Sequence, residues 1–442
     1  SPIAAAMVGK TIGRTIDEAH TVAQPMREEG YRFSFDMLGE AAMTMKDADR
    51  YYASYERALG EIARNAGKGG DVFARPSLSV KLSALHPRYE ERAHDRMITE
   101  LLPRLIELAQ KAKAANLGLT IDAEEVDRLD LSLDLLERMA LDPSLAGWDG
   151  LGLAVQAYSK RAYTVLEWLV SLAEASGRRL PVRLVKGAYW DTEIKIAQES
   201  GFDDYPLFTR KIATDVSYLA CAKLMLARAD AFYPQFATHN AHTVAAITIM
   251  AGDHKDYEFQ RLHGMGQALY DEVVGQDGLN QPCRIYAPVG SHEDLLAYLV
   301  RRLLENGANT SFVNRLADDD APIDEIIADP VKRVDGLDEV RHTHIAMPAG
   351  IFAPRINSRG VPLWHAHSDH LYQRLTKARW THAGVALRYG TLTLAGALLA
   401  AWVTPRVGLA AGLLLSALVL GLHLATALWR TRNVPCAVER KV

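Results

Sequence analysis

Through the first 310 residues, short apolar runs rich in β-branched and aromatic residues alternate with longer stretches whose apolar positions recur at helical spacing. The runs predict strands at Phe33–Gly39, Leu78–Leu85, Leu117–Glu124, Leu151–Tyr158, Val182–Tyr189, Gln235–Asn240, Glu258–Gly264 and Arg284–Gly290. Between them, stretches such as Met97–Ala115, Ala162–Ser176 and Tyr218–Arg228 predict helices. Eight strands, each followed by a helix, make an α/β chain with the count of a (βα)8 barrel. A doubly wound open sheet competes, but no GxGxxG follows a strand, which speaks against a Rossmann dinucleotide site.

The pattern changes near the C-terminus. Gly384–Val403 and Val407–Trp429 are two apolar stretches split by the turn signal Thr404-Pro405-Arg406. The second, 23 residues without a formal charge, would reach roughly 34 Å as a helix against a hydrocarbon core of about 30 Å. Trp380, Trp402 and Trp429 stand near the segment ends, and Arg374, Lys377, Arg379, Arg430 and Arg432 flank the outer ends. Such a hydrophobic helical hairpin fits a membrane anchor with both ends facing the cytoplasm. A hairpin packed against soluble protein is the alternative.

Charge sharpens the division. From Arg341 onward there are twelve Lys and Arg against two acids, a net of +10, so the first 340 residues carry −14 of the whole-chain −4. An acidic first part disfavours nucleic acid as a partner. Cys221, Cys283 and Cys436 are far apart with no CxxC pair, which fits a reducing cytoplasm without a disulfide framework or zinc site. The N-terminal apolar run is too short for a signal peptide.

In a barrel, chemistry gathers at the strand C-termini. Those ends supply Lys81, Asp122 with Glu124 and Glu125, Gln156 and Tyr158, Arg183 with Lys186, Tyr189 and Trp190, then Thr238, His239 and Asn240, and finally Tyr286. Charges inside apolar strands need partners, so Lys81, Asp122, Arg183 and Lys186 are either a functional constellation or a structural ion network, or some of them face the helix layer. After the last strand, SHEDLLAYLVRRLLENG predicts a helix capped by Ser291 and stopped by Gly307. Tyr298, Arg301, Arg302 and Glu305 share one stripe of it. Paired guanidinium forks suit a small carboxylate, and a solvated charged face is the alternative.

The strings SVKLSALHPRY, LTIDAEE, VQAY, RLVKGAYWD, ATHN, RIYAPVG and AYLVRRLLENGANTSFVNR, in this order, resemble the proline dehydrogenase domain of the bifunctional proline utilization A flavoenzymes. The similarity runs from about Val8 to about Arg333, and GIFAPRINSRGV resembles that family's linker toward its aldehyde dehydrogenase half. No motif of that half follows, so the chain reads as an isolated proline dehydrogenase module. The expected organisation is a barrel domain over 1–335, a basic linker over 336–383 and the hydrophobic hairpin with its basic tail over 384–442.

The resemblance implies FAD-dependent oxidation of L-proline to 1-pyrroline-5-carboxylate. It assigns Arg301, Arg302 and Lys81 to the substrate carboxylate, with Tyr286, Tyr298 and Leu184 around the substrate ring. Arg183 is implied beside the flavin's reactive nitrogen, and Asp122 between substrate and flavin. Gln156, Lys186, Gly187, Ala188, Tyr189, Trp190, Thr209, Lys211, Thr214, His239 and Asn240 match flavin-contacting positions, and Glu305 orients its helix. Without the resemblance, Thr209 and Thr214 read as helix caps, and Tyr189–Trp190 could equally be core, although a strand end next to cationic residues favours ring stacking. His239 and His242, and His365, His367, Asp369 and His370, have metal-like spacings without a supporting carboxylate–histidine pattern, so no metal is expected. With the hairpin, the resemblance implies a proline:quinone oxidoreductase at the cytoplasmic face of a bacterial inner membrane. A non-catalytic membrane-anchored scaffold on a decayed barrel is the other class of reading.

Overall fold

Alternation along the strands explains the architecture. RFSFDM and SLSV are polar at every second position and apolar between, and Glu258 and Gln260 of EFQRL and Arg284 and Tyr286 of CRIYAPV keep the same period. In a strand these sets face opposite ways. Here the polar set points into a closed barrel and the apolar set points out to a helix layer. The computed structural model describes residues 11–67, 69–290, 298, 300 and 328–351, with isolated positions 391, 398, 401, 402 and 405.

Eight strands close in sequence order. They are β1 (Arg32–Met37), β2 (Ser77–Val80), β3 (Gly118–Ile121), β4 (Leu151–Gln156), β5 (Leu180–Val185), β6 (Phe232–Ala237), β7 (Glu258–Leu262) and β8 (Cys283–Val289). All pairings are parallel, and β8 returns to β1 with Ser34 opposite Tyr286. The expected barrel is therefore observed. Several strands stop earlier than the apolar runs suggest. Lys81 already starts a helical turn over Leu82–Leu85, and the chain after Val185 leaves the sheet at Lys186–Tyr189.

The main helices are α1 (Ile16–Glu28), α2 (Met45–Asn65), α3 (Leu102–Ala114), α4 (Leu129–Ala140), α5 (Ala162–Ser176), α6 (Trp190–Ser200), α7 (Lys211–Ala227), α8 (Ala241–Ala251), α9 (Gln267–Val274), α10 (Pro330–Asp335) and α11 (Pro348–Ile351). The helix expected over Met97–Ala115 begins as a wide turn at Met97–Leu101 and becomes α-helical only at Leu102, next to Pro103. The helix expected from Tyr218 starts seven residues earlier, at Lys211.

Fully buried Phe33, Phe35, Leu78, Leu119, Leu184, Phe236, Phe259 and Ile285 from the outward strand faces join the helices in one core. Phe35 stacks near His20 of α1, with ring centroids 5.0 Å apart. Before α1, the backbone of Ile12 donates to Pro288 and Gly290 donates to Gly13, so the chain's start is tied to the end of β8.

The chain divides into two units, Ser1–Ile351 and Phe352–Val442. The first runs past Asp335 because residues 337–351 pack back onto the loop between α6 and α7. Among the described residues no helix is long and apolar enough to cross a membrane. The Gly384–Val403 and Val407–Trp429 stretches, and the His365–His370 run, lie outside the described residues except for a few isolated positions.

Candidate active site

The inward polar residues form two joined layers. At the base, Glu258 Oε1 accepts from Arg284 Nε at 2.5 Å, Gln235 Nε2 at 2.9 Å and Gln260 Nε2 at 3.0 Å. Its Oε2 accepts from Arg32 NH1 and Arg284 NH2, each at 3.1 Å. Burial alone would raise the Glu258 carboxyl, but Arg284 and Arg32 hold it below its ordinary range.

Toward the strand C-termini lies the second layer. Arg183 NH1 donates to Asp122 Oδ1 at 2.6 Å and its Nε to Gln260 Oε1 at 2.8 Å. Arg183 NH2 reaches the Ser34 and Ser79 hydroxyls at 3.0 and 2.9 Å. Tyr286 donates its hydroxyl to Asp122 Oδ2 at 2.7 Å, and its ring lies 5.0 Å from the Arg183 guanidinium. Lys81 Nζ donates to Asp36 Oδ1 at 2.8 Å and, over 3.4 Å each, to Asp122 Oδ2 and the Tyr286 oxygen. Two cations thus meet two carboxylates in a buried, neutral set.

The electrostatics follow from this pairing. Burial would lower the Lys81 ammonium's pKa, but Asp36, Tyr286 and Asp122 outweigh it and hold it well above its ordinary value. Burial likewise opposes ionisation of Asp122, yet Lys81 and Arg183 keep it below the usual carboxylate range. The Tyr286 phenol is pushed well up by burial and by Asp122 and Asp36. At neutral pH Asp122 is a fixed anion and Tyr286 a fixed donor.

Lys81, Asp122, Arg183 and Tyr286 are thus brought together as one cluster. Tyr298 is buried beside Leu38 and Tyr286. Arg301, Arg302 and Glu305 lie outside the described residues. Leu184 requires correction. Arg183 points inward, so its neighbour points to the helix layer, where Leu184 is fully buried in the main core and away from the barrel mouth.

A second region rims the mouth over β4–β6. Gln156 Nε2 donates to the Glu124 carbonyl at 2.9 Å, and its Oε1 accepts from Ala188 N at 3.3 Å. Lys186 pairs with Asp215 of α7. Trp190 Nε1 donates to the Phe208 carbonyl at 3.0 Å and packs on a satellite core of Tyr158, Ile194, Ala197, Tyr205 and Leu207. Gly187 has φ +135°, and a Cβ there would lie 2.4 Å from the Tyr158 ring, so the chain passes that ring only as glycine. Neither threonine caps α7 with its side chain. The N-cap is Arg210, Thr214 lies inside the helix, and Thr209 Oγ1 accepts from the His342 amide at 2.9 Å.

His239 Nε2 accepts from Leu262 N at 3.1 Å, and Asn240 Oδ1 caps α8 through His242 N at 2.9 Å. Among the described residues no group of three or more His, Cys, Asp or Glu is placed to hold a metal ion.

Sequence reading missed Asp36, Gln260, Ser34, Ser79 and the base cluster of Glu258, Arg284 and Arg32. The period-2 polar positions within otherwise apolar strands carried the signal.

A closed parallel barrel with helices between its strands defines the (βα)8 class, here with paired charges at the strand ends. Within that class, the chain belongs to the proline dehydrogenase family, whose model matches residues 19–315. It is 55% identical over 368 residues to the bifunctional protein PutA of Salmonella typhimurium, covering 80% of this chain and 28% of that protein. It is 26% identical over 305 residues to proline dehydrogenase 1 of Bacillus subtilis, covering 68% of this chain and 87% of the relative. Among solved structures, a variant of Bradyrhizobium japonicum proline utilization A superimposes with a TM-score of 0.73 at 50% identity, covering 84% of this chain and 38% of that one. The chain thus spans about 28% of the length of the bifunctional relative it matches.

Proposed function

We propose that the chain oxidises L-proline to 1-pyrroline-5-carboxylate with FAD and passes the electrons to a quinone. The observation that carries this reading is the buried Lys81–Asp122–Arg183–Tyr286 cluster at the strand C-termini of a barrel of this family. Burying two cations and two carboxylates costs several kcal/mol before pairing repays it. A decayed scaffold would have no use for such a set.

The residues fit a flavin dinucleotide. Lys186, Arg210 and Lys211 supply cations beside the start of α7, a 17-residue helix whose dipole favours an anion. Gly187 lets the backbone pass close to Tyr158 with no side chain of its own. A bound flavin would supply the hydride acceptor for oxidation of the ring carbon–nitrogen bond, the amine proton being released as the carbon–nitrogen double bond forms.

The chain's residues do the positioning. Lys81 has one strong partner and two long ones, so its ammonium can turn toward an incoming carboxylate without losing Asp36. Arg301 and Arg302 complete the carboxylate grip. Tyr286 and Tyr298 wall the pyrrolidine ring. Arg183, locked by Asp122, Gln260 and two serines, presents a fixed positive charge to the reduced flavin. The apolar Gly384–Trp429 stretch, read from its sequence, would anchor the protein at the cytoplasmic face of a membrane, where a quinone is accessible.

An anaerobic absorption spectrum tests the reading. The purified protein is expected to be yellow and to bleach on addition of L-proline. A colourless protein that takes up no FAD, or a flavin unmoved by proline, would refute it.

A further inference from the structure

Residues 337–351 follow α10 and return to the barrel over the loop that joins α6 to α7. Among the described residues, its hydrogen bonds to the barrel fall on that loop, and its packing reaches α6 and the end of β4. The Ala349 amide donates to the Phe202 carbonyl at 3.1 Å. The Tyr205 hydroxyl donates to the Ala346 carbonyl at 2.7 Å. Arg210 Nε donates to the Arg341 carbonyl at 3.0 Å, and the His342 amide donates to Thr209 Oγ1 at 2.9 Å. Ile345 packs on the satellite core that holds Tyr158, Trp190 and Tyr205. The segment braces itself, because Arg341 NH1 donates to the Ile345 carbonyl at 3.2 Å.

Hydrogen-bond inventory gives these contacts a direction. A hydroxyl has one proton. Thr209 Oγ1 is an acceptor toward His342, so its proton is directed at some other acceptor. Thr209 is 8% exposed, so that orientation is held against little competing water. Arg210 is the N-cap of α7, no side chain caps that end, and its guanidinium is tethered through Nε. A hydroxyl with a proton to give, a tethered guanidinium and a helix N-terminus therefore stand on consecutive residues, 209 to 211, a setting that favours an anion.

We propose that residues 337–351 are a latch that completes the diphosphate end of the flavin site by fixing Thr209 and Arg210. The proposal rests on the flavin reading above. Its chemistry is recognition of a diphosphate oxygen by groups that the latch orients from behind. It also implies reciprocity. If the latch tightens flavin binding, flavin must tighten the latch by the same factor.

Two measurements on the full chain decide it. The first is FAD affinity from flavin fluorescence quenching. His342→Pro removes the amide donor, and Ile345→Ser removes the packing. Each is expected to weaken FAD about tenfold, with the proline KM at saturating FAD unchanged. His344→Ala, on an exposed position of the same segment, is expected to bind FAD normally. The second is the rate of tryptic cleavage after Arg341 in the unaltered protein, expected to fall when FAD is added. This assay decides the matter if a variant fails to fold. Unchanged FAD affinity in both latch variants, or cleavage indifferent to FAD, would overturn the latch alone. Failure of the unaltered chain to bind FAD would remove the flavin reading with it.

Discussion

Arg183 of β5 meets Gln260 of β7 inside the barrel, past the intervening β6, and their hydrogen bond has only one possible sense. Gln260 Nε2 must donate to the Glu258 carboxylate, so its Oε1 is left to accept from Arg183 Nε at 2.8 Å. One amide therefore joins the acidic base of the barrel to the cation at its mouth.

Replacing Gln260 by Leu strands a buried donor at Arg183. Denaturant unfolding is expected to show a loss of about 1–3 kcal/mol. The loosened guanidinium should also move the flavin potential negative by roughly 30 mV, the two-electron equivalent of about 1.4 kcal/mol. A stability loss with the potential unmoved would reduce Gln260 to a packing role.

Arg183→Met removes the fixed charge itself. A more negative flavin potential and slower reduction by proline in stopped flow are expected. Normal potential and normal turnover would take Arg183 away from the flavin's reactive edge.

Arg301→Met and Arg302→Met should each raise the proline KM by about 10- to 150-fold, the equivalent of a charge-assisted contact of about 1.5–3 kcal/mol. FAD content should stay normal. Near-normal saturation by proline in both variants contradicts the carboxylate grip.

Glu193 on α6 accepts from the Val126 amide at 2.7 Å, and burial pushes its carboxyl up to about 7, helped by Asp127 and Glu125. The fold favours the protonated form. That contribution is fully present below the ordinary value near 4.5 and is lost as pH rises through about 7. Glu193→Gln keeps an acceptor for Val126 without the charge. Its melting temperature is expected to match the parent near pH 5 and exceed it at pH 8, by the equivalent of about 1–2 kcal/mol. Parallel curves across that range would contradict the burial argument.

The tail is tested by fractionation. Chain ending at Ile351 keeps the latch and is expected to bind FAD and reduce a dye with proline. The full chain is expected to stay with membranes at high salt, which screens basic-patch adsorption but not hydrocarbon insertion. Release by salt alone would contradict insertion of Gly384–Trp429.

The barrel was legible because most strands' outward sets are strongly apolar and each helix carries its own spacing. The cluster was legible at Lys81, Asp122, Arg183 and Tyr286, where a charge or phenol interrupts an apolar strand. Asp36 and Gln260 were harder to see. Their partners lie on other strands, Lys81 at the end of β2 for Asp36 and Arg183 on β5 for Gln260 on β7, and no local spacing encodes that. Leu184 misled because adjacency to Arg183 in sequence means opposition across a strand. The latch escaped because its key contacts use backbone amides and carbonyls, which every residue type supplies.

Gly13 pairs with Val289, and Arg32 of β1 finds its carboxylate on Glu258 of β7. During synthesis the first strand therefore waits for the last. At about 5–20 residues per second, roughly 13–50 s pass between the emergence of Arg32 and that of β8. Throughout that interval the nascent sheet has an open edge, and Arg32 on it lacks its carboxylate on β7. Its charge keeps the unfinished edge hydrated on the ribosome and discourages it from joining a neighbour's.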